Sequence, residues 1–599
     1  MVRIIAPSAL AIAMALMWAA PGYAECELRQ LIQLRATMLD MKALVPVTIN
    51  GEQLQMAIDS GAFYSTLTPA VAKHLNLRFE PLPDNFRMYG FNGAVNASVT
   101  TVNEFRLASL VIPHTQFIVG GTEMGGGAAG LLGQNLLGFA DTEYDLANGI
   151  VRIMRPKDCS KQTLAYWTKT DPVSEIEIEP IQQARYHTIG SGYLNGKKIR
   201  VNFDTGTGLS MLSLKAAERA GIKPDSPGVV PAGSLTGLGR GWIRTWIATF
   251  ESFKLGGEEI RNARLRFGDF NSEDGDLVIG ADFFLSHHIY VSNAQSKLYF
   301  TYNGGPVFNL TAMKAPVAVD TAPASADSAP TATSESAPVL ADAPDDAAGY
   351  SRRGMAFAAR RDFERALADL DRACELAPQE ASYFTERGQV RLQSGQADLA
   401  LADFDQALLL RPDDIDARMT RALLRFRHDD SAGARNDLDA AALAATKEAE
   451  IRFALGVAYQ QLGLLPEAIA QYDLWIAVHS EDSRLPTALN NRCWARALLD
   501  QDLDKALDDC NQAVRSVSKF ARALDSRGLV RLRRGEYKKA VSDYNDSLAL
   551  MPKNAWSLYG RGLAKLHLGI NAEGQADIAA ARALQPKIAE QAAAYGIVP

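Results

Sequence analysis

The sequence has no excess of basic residues. Its 599 residues include 62 Lys and Arg against 69 Asp and Glu, which gives a net charge of −7. A nucleic-acid partner would require a basic face, so this mild acidity argues against one. Apolar residues make up 47% and charged residues 22% of the chain, as in ordinary globular proteins. A chain of this length is too long for one core and predicts about three or four domains.

Long apolar runs are also lacking, except at the N-terminus. Arg3 is followed by an apolar stretch from Ile4 to Ala20 and then by the small-residue sequence PGYA. This pattern predicts a secretory signal peptide over residues 1–24, and the alternative is an uncleaved membrane anchor. No later segment approaches the roughly 18 apolar residues of a membrane span. We therefore expect a mature chain without a span, periplasmic or secreted, and the Ala-rich signal suggests a Gram-negative periplasm.

Metal-ligand and phosphate-binding patterns are missing as well. The His287-His288 pair has no accompanying ligand cluster with the spacing of a metal site. The glycine-rich segment 120–130 lacks the Lys-Ser/Thr pair of a phosphate-binding loop. We expect no metal and no other cofactor.

Residues 347–588 repeat with a period of 34 residues. A small residue recurs in the first helix of each unit at Gly354, Gly388, Ala422, Gly456 and, after a short insertion, Cys493, Gly528 and Gly562. The second helix of each unit begins near an alanine, such as Ala366, and a proline, such as Pro378, ends it. This pattern resembles the tetratricopeptide repeat over seven units. The resemblance implies an all-α solenoid with a concave surface that binds a protein or peptide.

Six of the seven units carry an arginine just before the small residue and an aspartate on the second helix. The fourth unit has Leu455 and Gln471 at these positions, so both charges are lost together. We interpret the pairs as structural Arg–Asp bridges within each repeat. These arginines are therefore not counted as ligand-binding residues.

A second, longer duplication precedes the repeats. The sequence MAIDSGAFYSTLT around Asp59 matches VNFDTGTGLSMLS around Asp204, and each follows an Asn-Gly pair by the same distance. About 75 residues further on, each copy has an apolar pair and a glycine, Gly133 or Gly280. Hairpin signals follow in both copies, so both are predicted to be β-rich.

These observations divide the chain. The two β copies occupy residues 25–158 and 159–311, and a 312–346 segment rich in Ala and Pro is predicted to be an extended tether. The repeats follow over 347–588, and residues 589–599 form a C-terminal tail.

Each copy has Asp-Ser/Thr-Gly at the end of an apolar strand, then a glycine-containing segment, and then an apolar-apolar-Gly sequence. This order of motifs resembles that of the retroviral-type (retropepsin-like) aspartic proteases. The resemblance covers about residues 30–302, here duplicated in one chain. It implies two homologous acid-protease-like β lobes, and thus a multidomain β + α protein with a solenoid of tetratricopeptide repeats. It also implies that Asp59 and Asp204 are catalytic. Two carboxylates about 3 Å apart share one proton, so one activates a water while the other protonates the scissile carbonyl.

The resemblance further assigns the residues that follow each aspartate. The hydroxyls of Ser60 and Thr205 would brace the two loops, and Gly61 and Gly206 would permit the tight turn. Ser60 stands where threonine is commoner.

The third residue after each aspartate differs between the copies. Thr207 stands where Ala or Ser is usual, and its hydroxyl would favour the charged form of Asp204. Ala62 offers no such donor to Asp59. We expect Asp204 to activate water and Asp59 to act as the acid.

Two glycine-containing segments are predicted to be flaps that close over an extended peptide, and the alternative for each is an ordinary turn. Their residues are Tyr89, Gly90, Phe91 and Gly93 in the first copy and Gly237, Leu238 and Gly239 in the second.

Five cysteines leave at least one thiol unpaired within the chain, and export permits disulfides. Cys493 and Cys510 lie on the two helices of the fifth repeat and come within reach if those helices pack antiparallel. Cys26 and Cys159 bracket the first β copy and are expected to pin its N-terminal strand. Cys374 is expected to stay free.

The function predicted from the sequence is that of an exported aspartic endopeptidase, with protein or peptide substrates and a repeat domain that docks a protein. One alternative is a catalytically inactive protease fold that binds peptides and organises a complex. Another is an active enzyme whose lobes pair between two chains.

Overall fold

The computed structural model describes residues 26–82, 88–90, 93–95, 97–120, 127–160, 162–180, 187–235, 243–270, 275–310, 344–446, 450–480, 482, 484–517 and 519–599. The predicted signal peptide and most of the predicted tether, 312–343, lie outside these residues. The predicted fold class is confirmed, because a β-rich part is followed by a stack of helices.

Lobe 1 comprises the elements from the N-terminus to residue 157. They are β1 Glu27–Arg35, β2 Thr37–Leu39, β3 Lys42–Ile49, β4 Glu52–Ile58, β5 Thr66–Leu67, α1 Pro69–His74, β6 Glu80–Pro81, β7 Met88–Gly90, β8 Gly93–Val95, β9 Ala97–Leu107, β10 Leu110–Gly120, β11 Leu131–Leu132, α2 Gln134–Leu137, β12 Asp141–Asp145, a 3₁₀ turn Leu146–Asn148, and β13 Ile150–Lys157.

In the described residues, lobe 2 repeats this order without counterparts of β2 and the 3₁₀ turn, and with one strand, β18, where lobe 1 has β6, β7 and β8. Its elements are β14 Ser174–Glu177, β15 Thr188–Leu194, β16 Lys197–Phe203, β17 Met211–Ser213, α3 Leu214–Arg219, β18 Val230–Leu235, β19 Ile243–Leu255, β20 Glu258–Gly268, β21 Leu277–Ile279, α4 Ala281–Ser286, β22 His287–Ser292 and β23 Lys297–Tyr302.

Each lobe has its own sheet, and a third sheet joins the lobes. In the described residues this shared sheet has the strand order β1-β13-β12-β22-β23-β14, three strands from each lobe. Its central pair is antiparallel β12 and β22, with Glu143 opposite Tyr290. Buried apolar side chains of both lobes form one continuous cluster, so the lobes are packed as a unit.

The hairpin that leads into each aspartate follows from an Asn-Gly turn. Asn50 and Gly51 have φ of 51° and 90°, and Asn195 and Gly196 have φ of 46° and 72°. Consecutive residues of positive φ form the two-residue turn whose twist suits a hairpin, and Asn-Gly is its favoured sequence. The turns fix the registers of β3 with β4 and of β15 with β16.

Fourteen helices in seven pairs, α5–α18, follow in the described part of the chain, and a short helix, α19, lies after them. Their bounds are α5 Ala347–Ala359, α6 Phe363–Leu376, α7 Ala381–Gln393, α8 Ala397–Leu410, α9 Ile415–Arg427, α10 Ser431–Ala444, α11 Ile451–Gln461, α12 Leu465–Val478, α13 Leu485–Leu499, α14 Leu503–Ser516, α15 Ala521–Arg533, α16 Tyr537–Leu550, α17 Ala555–His567, α18 Asn571–Leu584 and α19 Ile588–Ala593. The predicted tail, 589–599, therefore contains most of a helix, and Ile588, Ala592 and Ile597 pack in the core of the last repeats.

The Arg–Asp bridge is confirmed in the six repeats that carry the pair. In the second repeat, for example, the Arg387 guanidinium donates to Asp403 at 2.6 Å. The same arginine also donates to Asp371 of the preceding repeat at 2.9 Å. Arg421 and Arg492 join adjacent repeats in the same way. The arginines therefore hold neighbouring repeats together as well as the two helices of each repeat.

The first repeat packs directly on the lobes. Ala356 of α5 is fully buried in the core cluster of the lobes. Arg360 of the same region donates a hydrogen bond to the carbonyl of Gly304 in lobe 2. The repeat domain is thus docked on the lobes through the C-terminal part of its first helix, although the chain reaches it through a predicted tether.

Two disulfides are formed, Cys26–Cys159 and Cys493–Cys510, which are the pairs expected from the sequence. Cys374 is free and buried, and burial raises the pKa of its thiol to about 11. The segment that begins at Cys159 packs across the shared sheet, where Leu164 is fully buried. It therefore contacts strands of both lobes.

Candidate active site

The two aspartates follow equivalent strands of their lobes, β4 and β16. Asp59 comes directly after β4, and its N–H donates to the carbonyl of Leu132 at 3.0 Å. Asp204 comes directly after β16, and its N–H donates to Ile279 at 2.9 Å. These partners end the short strands β11 and β21, which pair parallel with β4 and β16. The apolar-apolar-Gly segments of the sequence therefore hold the start of each aspartate loop, which we define as residues 59–62 in lobe 1 and 204–207 in lobe 2.

Four reciprocal hydrogen bonds join the two aspartate loops. The N–H of Ser60 donates to Thr205 Oγ1 and the N–H of Thr205 donates to Ser60 Oγ, both at 3.0 Å. Each hydroxyl then donates to the strand of the opposite lobe, Ser60 Oγ to Phe203 O and Thr205 Oγ1 to Ile58 O, again at 3.0 Å. Ser60 and Thr205 are almost fully buried. The bracing role implied by the resemblance thus has its geometry here, with serine in place of one threonine.

Gly61 and Gly206 lie against the opposite aspartate. A Cβ on Gly61 would lie 2.3 Å from Asp204 Cγ, and one on Gly206 would lie 2.3 Å from Asp59 Cγ. Neither glycine has a positive φ. The sequence suggested that these glycines permit a tight turn, but the structure requires them because a side chain would displace the carboxylates.

The two carboxyl groups have different surroundings. Asp59 is 8% exposed, and burial, the charge of Asp204 and a hydrogen bond to it raise the pKa of Asp59 well above its usual range. The N–H groups of Gly61 and Gly206 each donate to the Oδ1 of their own aspartate at 2.9 Å. Asp204 alone has a side-chain donor in its own loop, because Thr207 Oγ1 donates to Asp204 Oδ2 at 2.9 Å.

A serine behind each aspartate loop was missed from the sequence. Ser65 Oγ accepts from Gly133 N–H at 3.0 Å and donates to Asn135 Oδ1 at 2.9 Å. In lobe 2 the equivalent Ser210 Oγ accepts from the N–H of Gly280 at 2.9 Å and donates to Asp282 Oδ1 at 2.6 Å.

These serines lie six residues after each aspartate, in the matched tails FYSTLT and LSMLS. Their matching position in the two copies could have identified them as supporting residues from the sequence alone.

A basic side chain also lies across from each aspartate. Continuing the registers of β3 with β4 and of β15 with β16 sets Lys42 opposite Asp59 and His187 opposite Asp204. His187 Nε2 lies 2.7 Å from the carbonyl of Gly61, so this lobe 2 residue contacts the loop of lobe 1. The two residues of each pair are equidistant from their Asn-Gly turn. The position of that turn in the sequence could therefore have predicted that Lys42 lies opposite Asp59 and His187 opposite Asp204.

Part of the first predicted flap forms a hairpin. β7 and β8 pair antiparallel, with Tyr89 opposite Ala94 and Gly90 opposite Gly93. Phe91 lies outside the described residues, as do Gly237, Leu238 and Gly239 of the second predicted flap. The described strands on either side of that second segment, β18 and β19, are paired antiparallel.

The two adjacent histidines serve structural contacts. His287 Nε2 lies 3.0 Å from Glu258 Oε2, and His288 Nε2 lies 2.8 Å from Glu143 Oε1 in the shared sheet. Within the described residues, no three His, Cys, Asp or Glu side chains are grouped as a metal site would require.

Known protein families match both the β-rich part and the helical part of the chain. Residues 45–138 match a family described as "gag-polyprotein putative aspartyl protease", and residues 191–283 match the family "Aspartyl protease". Residues 353–425 and 419–482 match two tetratricopeptide repeat families. The chain therefore combines two aspartyl protease-like domains with tetratricopeptide repeats, as the sequence patterns predicted.

Solved structures similar to the chain include repeat proteins. YrrB, described as "a TPR protein with an unusual peptide-binding site", is 17% identical, with 32% of this chain and 97% of YrrB covered and a TM-score of 0.29. A repeat protein from Parabacteroides merdae is 17% identical, with coverages of 42% and 96% and a TM-score of 0.32. A comparison with curated proteins found no match.

Within the described ranges, no helix combines the length and the apolar character needed to cross a bilayer.

Proposed function

We propose that the chain is an exported aspartic endopeptidase that hydrolyses peptide bonds with a water activated between Asp59 and Asp204. The reciprocal bracing of the two aspartate loops supports this proposal most strongly, because it holds each carboxyl group against the glycine of the opposite loop. A single exposed carboxylate is a poor catalyst of amide hydrolysis. Two that share a proton provide a base and an acid at the same time.

The surroundings of the two groups support a division of roles. Burial and the neighbouring charge raise the pKa of Asp59, which makes it the better place for the shared proton. The hydroxyl of Thr207 donates to Asp204, which favours the charged form of that group. Asp204 then takes a proton from the bound water while Asp59 donates one to the carbonyl oxygen of the scissile bond.

Both aspartates are supplied by one chain in this proposal. The shared sheet and the continuous core favour pairing within the chain over pairing between chains, because separating the lobes would expose the central β12–β22 pair. The described part of the β7–β8 hairpin is a candidate flap over the cleft.

Location and partners complete the proposal. The N-terminal sequence and the two disulfides fit a periplasmic or secreted protein. The repeat domain docks a protein, either a substrate or a scaffold.

The test is cleavage of a mixed peptide library by the mature chain and by Asp59→Asn and Asp204→Asn. Each variant is expected to lose at least about a thousandfold in rate, because the pair acts as a unit. A pepstatin-like inhibitor should block the wild type. Asp225→Asn, at an exposed position of lobe 2, is the matched control and should retain activity.

The outcomes separate the alternatives. Full recovery on mixing the two single variants would show that the lobes pair between chains. A wild type that binds peptides but cleaves none would indicate an inactive scaffold.

A further inference from the structure

Lobe 2 supplies a side chain that contacts the aspartate loop of lobe 1 and the residue after it. His187, the residue before β15, has its Nε2 2.7 Å from the carbonyl oxygen of Gly61. A carbonyl oxygen only accepts hydrogen bonds, so Nε2 carries the hydrogen and donates it. The imidazole also stacks on the ring of Phe63, with the centroids 4.2 Å apart and the planes inclined by 14°. Two contacts therefore join this side chain to one short segment of lobe 1.

Gly61 is the residue of that segment that contacts both carboxyl groups. Its N–H donates to Asp59 Oδ1 at 2.9 Å, and a Cβ at this position would lie 2.3 Å from Asp204 Cγ. Glycine has wider backbone freedom than any other residue, so the peptide units on either side of Gly61 need an external constraint. The bond to Asp59 fixes the N–H on one side of the glycine. The bond from His187 fixes the carbonyl on the other side.

Gln134 holds the neighbouring carbonyls of the same loop. Its Nε2 donates to the carbonyl of Ser60 at 3.0 Å, and its backbone N–H donates to the carbonyl of Ala62 at 2.8 Å. Gln134 is buried behind the loop. With the bond from His187, each carbonyl from Ser60 to Ala62 has a donor. The loop that carries Asp59 is thus held along its backbone by residues of both lobes.

The aspartate loop of lobe 2 lacks the equivalent side chains. The duplication places Ala281 where lobe 1 has Gln134, and Gly208 where lobe 1 has Phe63. Ala281 has no side-chain donor, and Gly208 has no ring on which another ring could stack. The side-chain bond to the loop and the stacking contact are therefore features of lobe 1 that the duplication did not impose.

We propose that His187 is a positioning residue for the reaction, because it orients the carbonyl of Gly61 and so keeps that glycine in place between Asp59 and Asp204. Lobe 2 then contributes more than its own aspartate, since it also sets the position of the acid of lobe 1. His187 acts through Gly61 and is not itself a reacting group. The effect on rate rests on the proposed function, whereas the effect on the loop does not.

Two substitutions separate the hydrogen bond from the stacking. His187→Phe keeps an aromatic ring beside Phe63 and loses the donor to Gly61. His187→Gln loses the ring and keeps a side-chain N–H for the same carbonyl. The matched control is His74→Phe, which makes the same substitution at an exposed histidine of lobe 1 that lies 2.8 Å from Glu52.

Amide hydrogen exchange of the mature chain tests the positioning without a substrate. Exchange is followed over residues 59–63, where N–H groups are bonded within the paired loops. Each rate is taken relative to that of Asp141–Asp145 in the shared sheet, which corrects for a general change in stability. His187→Phe is expected to speed exchange about two- to fivefold, because the loop opens more readily, while His187→Gln and His74→Phe do not. A relative rate in His187→Phe equal to that of the wild type would overturn the proposal.

Peptide hydrolysis tests the effect on the reaction. His187→Phe is expected to lower kcat about tenfold and to change KM by less than about twofold, because a positioning residue aligns the reacting groups and does not bind the substrate. His187→Gln should restore kcat to within about threefold of the wild type, since one donated bond is kept. His74→Phe should leave kcat unchanged.

The outcomes distinguish this inference from the proposed function. Equal kcat in the wild type and His187→Phe would overturn the positioning role and leave the endopeptidase intact. A raised KM at unchanged kcat would do the same, because His187 would then contact the substrate. So would a kcat for His187→Gln as low as that for His187→Phe, because the donor would not be the cause. If the wild type cleaves nothing, the proposed function fails, and the exchange measurement still decides whether His187 holds the loop.

Discussion

Lobe 1 and lobe 2 build the same loop around their aspartates and give it different electrostatic surroundings. The loop bracing, the glycine contacts and the supporting serines are reproduced with distances that agree closely between the lobes. The residues near each carboxyl group are not reproduced. Thr207 has Ala62 as its counterpart, and Asp282 has Asn135.

This difference shows what duplication within one chain permits. Two identical subunits of a homodimer must present the same residues on both sides of the symmetry axis. A duplicated chain has no such constraint, so each copy can diverge around its own aspartate. The two aspartate loops have the same geometry because they must fit one another. The polar and charged residues around them differ between the lobes.

The largest expected effect, a loss of peptide cleavage, concerns the loop glycines that both lobes share. Gly61→Ala and Gly206→Ala each place a methyl group 2.3 Å from the opposite carboxylate carbon, so one of the groups must move. Displacement of catalytic groups by about 1 Å costs roughly a hundredfold in rate, and we expect at least that loss for either variant. Peptide cleavage rates at saturating substrate measure it.

Gly257→Ala is the control for that pair. Its added Cβ would meet Ser174 at 3.4 Å, an ordinary contact, and activity should be retained. A large loss for only one of the two loop glycines would contradict the equivalence of the aspartate loops.

The next largest effect, on stability, concerns the buried residue that accepts a hydrogen bond from the serine behind each aspartate loop. This residue is Asp282 in lobe 2 and Asn135 in lobe 1. Asp282 accepts hydrogen bonds from Ser210 and Asn309, and Asp282→Ala should lower the free energy of unfolding by roughly 3 kcal/mol, since these donors lose their acceptor. Asn135→Ala removes fewer bonds and should cost about 2 kcal/mol. Denaturant unfolding of both variants compares the two supports.

The contribution of Asp282 to stability should also depend on pH, whereas that of Asn135 in lobe 1 should not. Burial raises the pKa of Asp282 above the ordinary value of 3.8, so the folded state binds this proton more tightly than the unfolded state. Stability from this group is therefore greatest at low pH and falls as pH rises through the raised pKa. Asp282→Asn, which copies lobe 1, should remove this fall. Unfolding curves for wild type and variant that stay parallel from pH 4 to 8 would contradict the assignment.

The duplication itself made much of the fold predictable. Asp59 and Asp204 could be paired because two copies of one pattern lie in register, and seven repeats fixed a helical period of 34. Cys493 and Cys510 could be paired because the repeat places them on adjacent antiparallel helices. Each of these conclusions depends on local patterns or on spacing within one repeating unit.

The contacts between units could not be predicted in the same way. Hairpin signals predict strands in the regions of β12 and β22, but local patterns give no information on which strand each will pair with across about 150 residues. The docking of the repeats on the lobes, through Ala356 and Arg360, is another contact between units that the period of 34 residues does not specify.

The smallest expected effect concerns the hydroxyl that distinguishes the two aspartate loops. Thr207 Oγ1 donates to Asp204 Oδ2 at 2.9 Å, and Ala62 has no hydroxyl to offer Asp59. A donated hydrogen bond stabilises the charged carboxylate, so its loss in Thr207→Ala should make protonation easier. The acidic limb of the pH–rate profile should then move upward by about half to one pH unit, as expected for one hydrogen bond of about 1 kcal/mol. Thr207→Ser keeps the hydroxyl and is the matched control, with an acidic limb at the wild-type position. Ala62→Ser sharpens the test, because a second hydroxyl beside Asp59 should reduce the asymmetry from the other side. An acidic limb that stays in place in Thr207→Ala would refute the assignment of Asp204 as the water-activating group, because that assignment depends on this donor, and would leave the shared dyad untouched.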